Sequence, residues 1–127
     1  MTRQAIGGSA PGPGGAPVPL SKAVRAGDFV YVSGQVPFGP DGKLVGGDIE
    51  DQTDQVMRNI EAILKQAGCT MADVIKCTAW LDDPRDFAAF NRTYARWFEG
   101  DPPARSAVRA ELMIDAKVEV EAIAYKP

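Results

Sequence analysis

Two charged residues near the end of the chain have side chains suited to binding and chemistry. Arg105 follows Pro103 and Ala104 at the start of a predicted strand, where its planar guanidinium can meet a carboxylate. Glu121 is followed directly by the apolar residues 122–124. The sequence contains no His, which is the commonest acid–base residue at neutral pH and the commonest metal ligand. Any chemistry would therefore use carboxylates, Arg, hydroxyls, thiols, the backbone or water.

Both residues lie in segments where polar and apolar side chains alternate. The alternation covers residues 105–112 and 117–122, and a pleated strand would send the two classes to opposite faces. A half-solvated sheet face explains most of these charges. Local sequence alone favours an ion-pair role without a ligand for Arg105, and it is also consistent with Glu121 as the structural partner of an Arg or Lys.

The preceding elements predict an α+β domain. Residues 21–25 and 29–36 read as two strands joined by a tight turn, and 74–81 as another strand. Residues 48–68 show helical periodicity, and a second helix is predicted from Pro84 to about Phe98. Two helices can cover only one face of a sheet, so the other face needs a different cover.

The N-terminal residues 7–17 are dense in Gly and Pro, which predicts a flexible arm over residues 1–17 followed by a single domain at 18–127. The two cysteines are too isolated to suggest a zinc site. Cys77 is expected to be buried in its apolar strand, whereas Cys69 follows a helix end where exposure is expected.

Charge and hydropathy exclude some classes of protein. The net charge is −3 and there is no run of Lys or Arg, so nucleic acid is not expected as the main partner. No apolar segment approaches the roughly 20 residues that span a bilayer, and the first residues lack a signal-type apolar run. The sequence therefore predicts a soluble, cytoplasmic protein without a membrane partner.

Four motifs carry a resemblance to a known family. They are Ser-Gly-Gln at 33–35, Phe-Ala-Ala-Phe-Asn-Arg-Thr-Tyr at 87–94, Pro-Ala-Arg-Ser at 103–106 and Glu-Val-Glu-Ala-Ile-Ala at 119–124. In this order, over residues 18–126, the chain resembles the RidA (YjgF) family of enamine/imine deaminases. The resemblance implies a chorismate-mutase-like mixed β-sheet with two helices on one face, and a homotrimer with active sites between subunits. It also places another strand between the last two, where local sequence suggests a hairpin.

The resemblance further implies hydrolysis of a reactive imino or enamino acid to a 2-oxo acid and ammonia, with no metal or organic cofactor. Arg105 would hold the substrate carboxylate, and Glu121 would move protons to and from the attacking water and the leaving amine. The backbone around Ser33, Gly34 and Ala107 would complete the pocket, with an amide from Asn91. Charges such as Arg109, Glu111, Lys117 and Glu119 would be paired across subunits on the uncovered sheet face.

The chain departs from the family's pattern at two positions. Leu20 stands where typical deaminases have a tyrosine that closes over the substrate, and Ala107 replaces a frequent cysteine. The first departure favours a larger substrate, such as an aminomuconate-like compound. Two other classes stay open: a trimer that binds small carboxylic acids without turnover, and a ribonuclease-like or regulatory protein, which the acidic composition disfavours.

Overall fold

The computed structural model describes residues 3–11 and 16–127. Within these ranges the chain forms a sheet of six strands and two α-helices. Short 3-10 turns lie at Met71–Asp73 and Pro84–Asp86. The elements are β1 (Gln4–Pro11), β2 (Pro17–Ala26), β3 (Phe29–Gln35), α1 (Ile49–Gln66), β4 (Val74–Leu81), α2 (Phe87–Ala95), β5 (Ala104–Arg109) and β6 (Val118–Tyr125).

The strands lie in the order β1-β2-β3-β6-β4-β5. All neighbouring pairs are antiparallel except β4 and β5, which run parallel. β4 therefore lies between the last two strands, as the family resemblance implies and against the local suggestion of a hairpin. The predicted class, a mixed α+β sheet covered by two helices, is confirmed.

Helix α1 provides much of the core. It begins at a capping box in which the Asp48 and Asp51 side chains each accept a backbone N–H from the other, and Gly68 beyond its end has φ +79°. Its apolar stripe is buried together with alternate residues of β4 and β6. In the described part of the chain, no helix is long and apolar enough to cross a membrane.

The N-terminal segment differs from the prediction of a flexible arm. Gln4–Pro11 forms β1, which pairs with β2 through two register shifts. Gly7 and Gly8 lie in the first shift with positive φ. An edge strand leaves one side unpaired, so it tolerates Gly and Pro at irregularities where a central strand would not. Residues 1, 2 and 12–15 of the predicted arm lie outside the described residues.

Two expectations about side-chain position are wrong. Cys69 is buried, because the Arg25 guanidinium folds over the end of α1 and donates a 2.6 Å hydrogen bond to the Ala67 carbonyl beside it. On β5, the alternate residues that include Arg105 and Arg109 face the helices. Arg105 and Ala107 are half-buried there, while Val108 is 49% exposed on the other side. Arg109 therefore does not share the uncovered sheet face with Glu119.

That uncovered face carries large apolar side chains. Phe29, Tyr31 and Tyr125 form an aromatic cluster, with the Phe29 ring centroid 6.3 and 5.0 Å from those of Tyr31 and Tyr125. Ile75 and Val108 add to this face and are 45% and 49% exposed. Exposed apolar area of this kind is typical of a surface that another molecule covers.

Candidate active site

Arg105 lies on the edge strand β5 and faces the helices. Its strand partner is Cys77, which is 1% exposed, and paired residues of adjacent strands point to the same face. The guanidinium carbon lies 5.7, 5.4 and 5.0 Å from the ring centroids of Phe87, Phe90 and Tyr94. Three aromatic rings therefore surround one half-buried cation.

The sequence of α2 explains this aromatic cradle, by which we mean the rings of Phe87, Phe90 and Tyr94 around Arg105. Phe87, Phe90 and Tyr94 recur at three- and four-residue steps, so they share one face of the helix. Asp83 fixes the entry to this segment, since its side chain accepts a hydrogen bond from the Arg85 backbone N–H ahead of α2. The helical spacing was visible in the sequence, but the position of Arg105 against it required the sheet.

No carboxylate in the described chain lies within salt-bridge distance of Arg105. Aromatic rings contact the flat side of the guanidinium and so orient it. They accept no hydrogen bonds from its N–H groups, which lie in the guanidinium plane. The donors of Arg105 are thus available to an external acceptor. The planar fork matches a carboxylate in particular.

Two polar atoms beside this cradle are buried and make no well-formed hydrogen bond among the described residues, although the Tyr94 hydroxyl is close enough to the Cys77 thiol for each to affect the other's pKa. They are the Asn91 Oδ1 and the Tyr94 hydroxyl oxygen, on the helix face that holds the aromatic rings. Burial raises the pKa of Tyr94, and burial also raises the pKa of the Cys77 thiol against the opposing effects of Tyr94 and Arg105. Both groups are therefore neutral near pH 7, and Arg105 is the charged member of this cluster with Cys77 and Tyr94.

Ser33 and Gly34 form a β-bulge. Val32 pairs with Ala122 and the next pair joins Gln35 to Val120, so Ser33 and Gly34 together face the single residue Glu121. The Ser33 hydroxyl donates a 2.6 Å hydrogen bond to the Ser21 carbonyl, which ties the bulge to β2. The structure thus brings Ser33, Gly34 and Glu121 together at the bulge.

Glu119 is a second carboxylate at this bulge, and the sequence predicts only an ion pair across subunits for it. Its carboxylate lies against Gly34, where the Cβ of any larger residue would clash with Glu119 Oε2. Burial of the half-buried side chain raises the pKa of Glu119, and repulsion from Glu121 adds to the shift. The sequence does contain a sign of this role: Glu119 and Glu121 are alternate residues of one strand, so their side chains share a sheet face.

The structure does not bring Arg105 and Glu121 together within one chain. Arg105 pairs with Cys77, and Glu121 pairs with the next residue of β4, Thr78, so the two side chains point to opposite faces of the sheet. Asn91 and Ala107 lie on the Arg105 side. Ser33 and Gly34 lie with Glu121, and Leu20 is 39% exposed on β2. The candidate residues thus form two half-sites.

The contact between Gly34 and Glu119 gives a structural prediction. Gly34→Ala should push the Glu119 carboxylate toward solvent, because the added methyl meets the end of a flexible side chain. We expect the pKa of Glu119 to fall toward its ordinary value, and stability to change by less than about 1 kcal/mol. An NMR titration of the glutamate side chains would measure the first effect. Gly46→Ala, where an added Cβ meets nothing within 4 Å, is the matched control.

The fold and the two half-sites define a small α+β protein with two carboxylates on one sheet face and, on the other, an arginine that forms no ion pair with any residue that the structure describes. The chain belongs to the RidA/YjgF family, and the family model described as Endoribonuclease L-PSP matches residues 11–126. A RutC family protein of Pyrococcus horikoshii is 50% identical over 110 residues, covering 85% of this chain and 87% of that protein.

Two further relatives bear on the kind of site. The chloroplastic Reactive Intermediate Deaminase A of Arabidopsis thaliana is 42% identical over 108 residues, which are 84% of this chain and 58% of that protein. The solved structure of E. coli TdcF with bound serine superposes with a TM-score of 0.87 at 35% identity, covering 98% of this chain and 99% of that chain.

Proposed function

We propose that this protein is a hydrolytic deaminase that converts reactive enamine or imine intermediates of amino acids into 2-oxo acids and ammonia. The observation that carries the proposal is the guanidinium of Arg105, which three aromatic rings orient and which has no carboxylate within salt-bridge distance among residues 3–11 and 16–127. Such a group binds a substrate carboxylate in a fixed orientation.

The proposed reaction adds water across the C=N bond. With the substrate carboxylate on Arg105, a water attacks the imine carbon while a glutamate accepts its proton. The imine nitrogen gains that proton, which gives a carbinolamine with one OH and one NH2 on the same carbon. The glutamate then takes the hydroxyl proton and passes it to the nitrogen, so that the C=O bond forms as the C–N bond breaks and ammonia leaves. One carboxylate can serve as base and then as acid, as a chain without His requires.

We assign the proton-transfer role to Glu119 in preference to Glu121. A general base works best when its pKa lies closer to the working pH than that of an ordinary carboxylate, and Glu119 has a raised pKa. It also lies against Gly34, where no side chain separates it from the bulge. Glu121, to which the family resemblance assigned proton transfer, then has a different role: its negative charge repels that of Glu119 and helps to raise the Glu119 pKa.

We further propose that the complete site forms between copies of the chain in a homotrimer. Arg105 lacks a carboxylate, and neither Glu119 nor Glu121 has a cation within salt-bridge distance among the described residues. The two half-sites lie on opposite sheet faces, so one copy cannot join them. Packing the aromatic face of Phe29, Tyr31 and Tyr125 against another copy would bring complementary halves together.

Two of the relatives support this substrate class. The Arabidopsis protein is named a reactive intermediate deaminase, and E. coli TdcF was solved with serine, which carries a carboxylate beside the carbon that bears nitrogen. A bound amino acid that is not an imine also favours a second candidate. In that alternative, Arg105 binds a small carboxylic acid without turnover and the trimer has a regulatory role. The cytoplasmic location stays a prediction.

Ammonia release tests the proposal. 2-Aminoacrylate and 2-iminobutanoate are generated in situ by a dehydratase, and their decay is followed with and without the wild-type protein. Acceleration that scales with protein concentration supports a deaminase. If the folded protein gives no acceleration but binds serine or butanoate, the deaminase proposal is wrong and the second candidate, a protein that binds small carboxylic acids without turnover, is supported.

Mixing two inactive variants tests the arrangement of the site. Arg105→Met and Glu119→Gln proteins should each be inactive, but unfolding and refolding them together should restore activity. With random assembly, about one quarter of the sites would combine an intact Arg105 from one copy with an intact Glu119 from another. Each variant refolded alone is the control. No recovery from a mixture that size-exclusion chromatography shows to be assembled would mean that both residues act within one copy.

A further inference from the structure

A cavity of about 240 Å³ opens on β5 next to Arg105. Its walls come from the end of β4, the turn before α2, the first residue of α2 and the edge strand. Five of the six lining residues are apolar, although the side chain of Val108 points to the other sheet face and this residue borders the cavity only at the edge of β5. The lining consists of Leu81, Pro84, Phe87, Ala107, Val108 and Arg109.

The cavity adjoins Arg105, which we propose binds the substrate carboxylate. Phe87 lines it and also lies 5.7 Å from the Arg105 guanidinium carbon. Ala107 is two residues beyond Arg105 on the same strand face, a distance of roughly 7 Å along the backbone. A molecule whose carboxylate is held by Arg105 can therefore extend over Ala107 toward Leu81 and Pro84.

We infer that this cavity receives the substrate's apolar side chain and that Ala107 sets how large that side chain can be. The inference rests on the proposed deaminase function and gives it a substrate class: imino acids with branched or aromatic side chains. Ala107 projects only a methyl group, so the floor of the cavity stays open. A longer apolar residue there would fill the space that the side chain uses.

The size of the cavity supports this class. A water molecule takes up about 30 Å³ in the liquid, so the space exceeds what a methyl or ethyl group needs. Each methylene buried against the apolar walls should raise affinity by about fourfold. Imines of alanine would leave most of the cavity to water, whereas imines of leucine or phenylalanine would occupy it.

Comparing two substrates in matched variants tests the inference. Imines of leucine and alanine are generated with an amino-acid oxidase, and kcat/KM is measured for wild type, Ala107→Leu and Ala88→Leu. We expect wild type to prefer the leucine imine by at least tenfold, and Ala107→Leu to lower kcat/KM for the leucine imine more than for the alanine imine, so that the preference is lost. Ala88 is exposed on α2, so the same substitution there should change neither value.

Other outcomes separate this inference from the proposed function. If wild type turns over no imine, the deaminase proposal fails, and calorimetry with 4-methylpentanoate and propanoate still tests the cavity: tighter binding of the longer acid, lost in Ala107→Leu, supports it. Equal binding of both acids overturns it. A preference for the imine of glutamate that Arg109→Met removes would also overturn it, since the cavity would then serve a second carboxylate.

Discussion

Arg105→Met should lower kcat/KM for 2-iminobutanoate by about 10³-fold. Two hydrogen bonds to a charged group contribute about 1.5–3 kcal/mol each, and every 1.4 kcal/mol is a factor of about ten. Arg105→Lys should retain part of the activity, because it keeps the charge but loses the planar fork that fixes the carboxylate. Initial rates of ammonia release at several substrate concentrations would give these values.

The controls for Arg105 must separate binding from folding. Arg92→Met removes a different arginine, on α2, whose ion pair with Glu50 spans 3.7 Å between exposed side chains and should contribute little. The Met at 105 can still contact the aromatic rings, so the melting temperature should change little. An Arg105→Met protein that stays active, or one that loses activity only because it unfolds, would remove Arg105 from the role of clamp.

The sequence predicted most elements because their patterns are local. The helical spacing of α1, its Asp48 cap and the apolar strand at 74–81 are all visible in the printed residues, and the structure has them within a few positions. The family resemblance added what local patterns cannot give, namely the insertion of β4 between β5 and β6. Strand order depends on contacts between residues far apart in the chain.

Residues at the sheet's edges and irregularities were harder to predict. Alternation in β5 indicated a strand but not which parity faces the helices, because α2 supplies an aromatic cradle that can bury a guanidinium as well as an apolar group. Composition argued against a strand at residues 4–11, yet β1 forms where bulges accommodate its glycines. The choice between Glu119 and Glu121 required the bulge at Gly34, which no local pattern marks.

Glu119→Gln should lower kcat by about 10²–10⁴-fold, the usual contribution of a positioned acid–base group, with little change in KM. The base acts only when deprotonated, so wild-type activity should fall as the pH drops through the Glu119 pKa. Because that pKa is raised, the acidic limb of the profile should lie above the ordinary glutamate value of 4.5. Rates of ammonia release between pH 4 and 8 would define the limb, and it should be missing from the residual activity of the Gln variant.

Glu121→Gln is the matched control, because it makes the same change two residues away on the same face of β6. Removing its charge removes the repulsion that helps raise the Glu119 pKa, so kcat should stay near wild type while the acidic limb moves to lower pH. If Glu121→Gln abolishes activity and Glu119→Gln does not, the sequence candidate is the base and the assignment to Glu119 is wrong.

Stability distinguishes a catalytic Glu119 from a structural one. The folded state binds the Glu119 proton more tightly than the unfolded chain does, since burial raises the folded pKa. This residue therefore favours folding below the unfolded pKa, and that contribution is lost as the pH rises through the folded pKa. At pH 7 the buried charge opposes folding, so Glu119→Gln should melt no lower than wild type. Lost activity without lost stability is the signature of a group kept in place for chemistry.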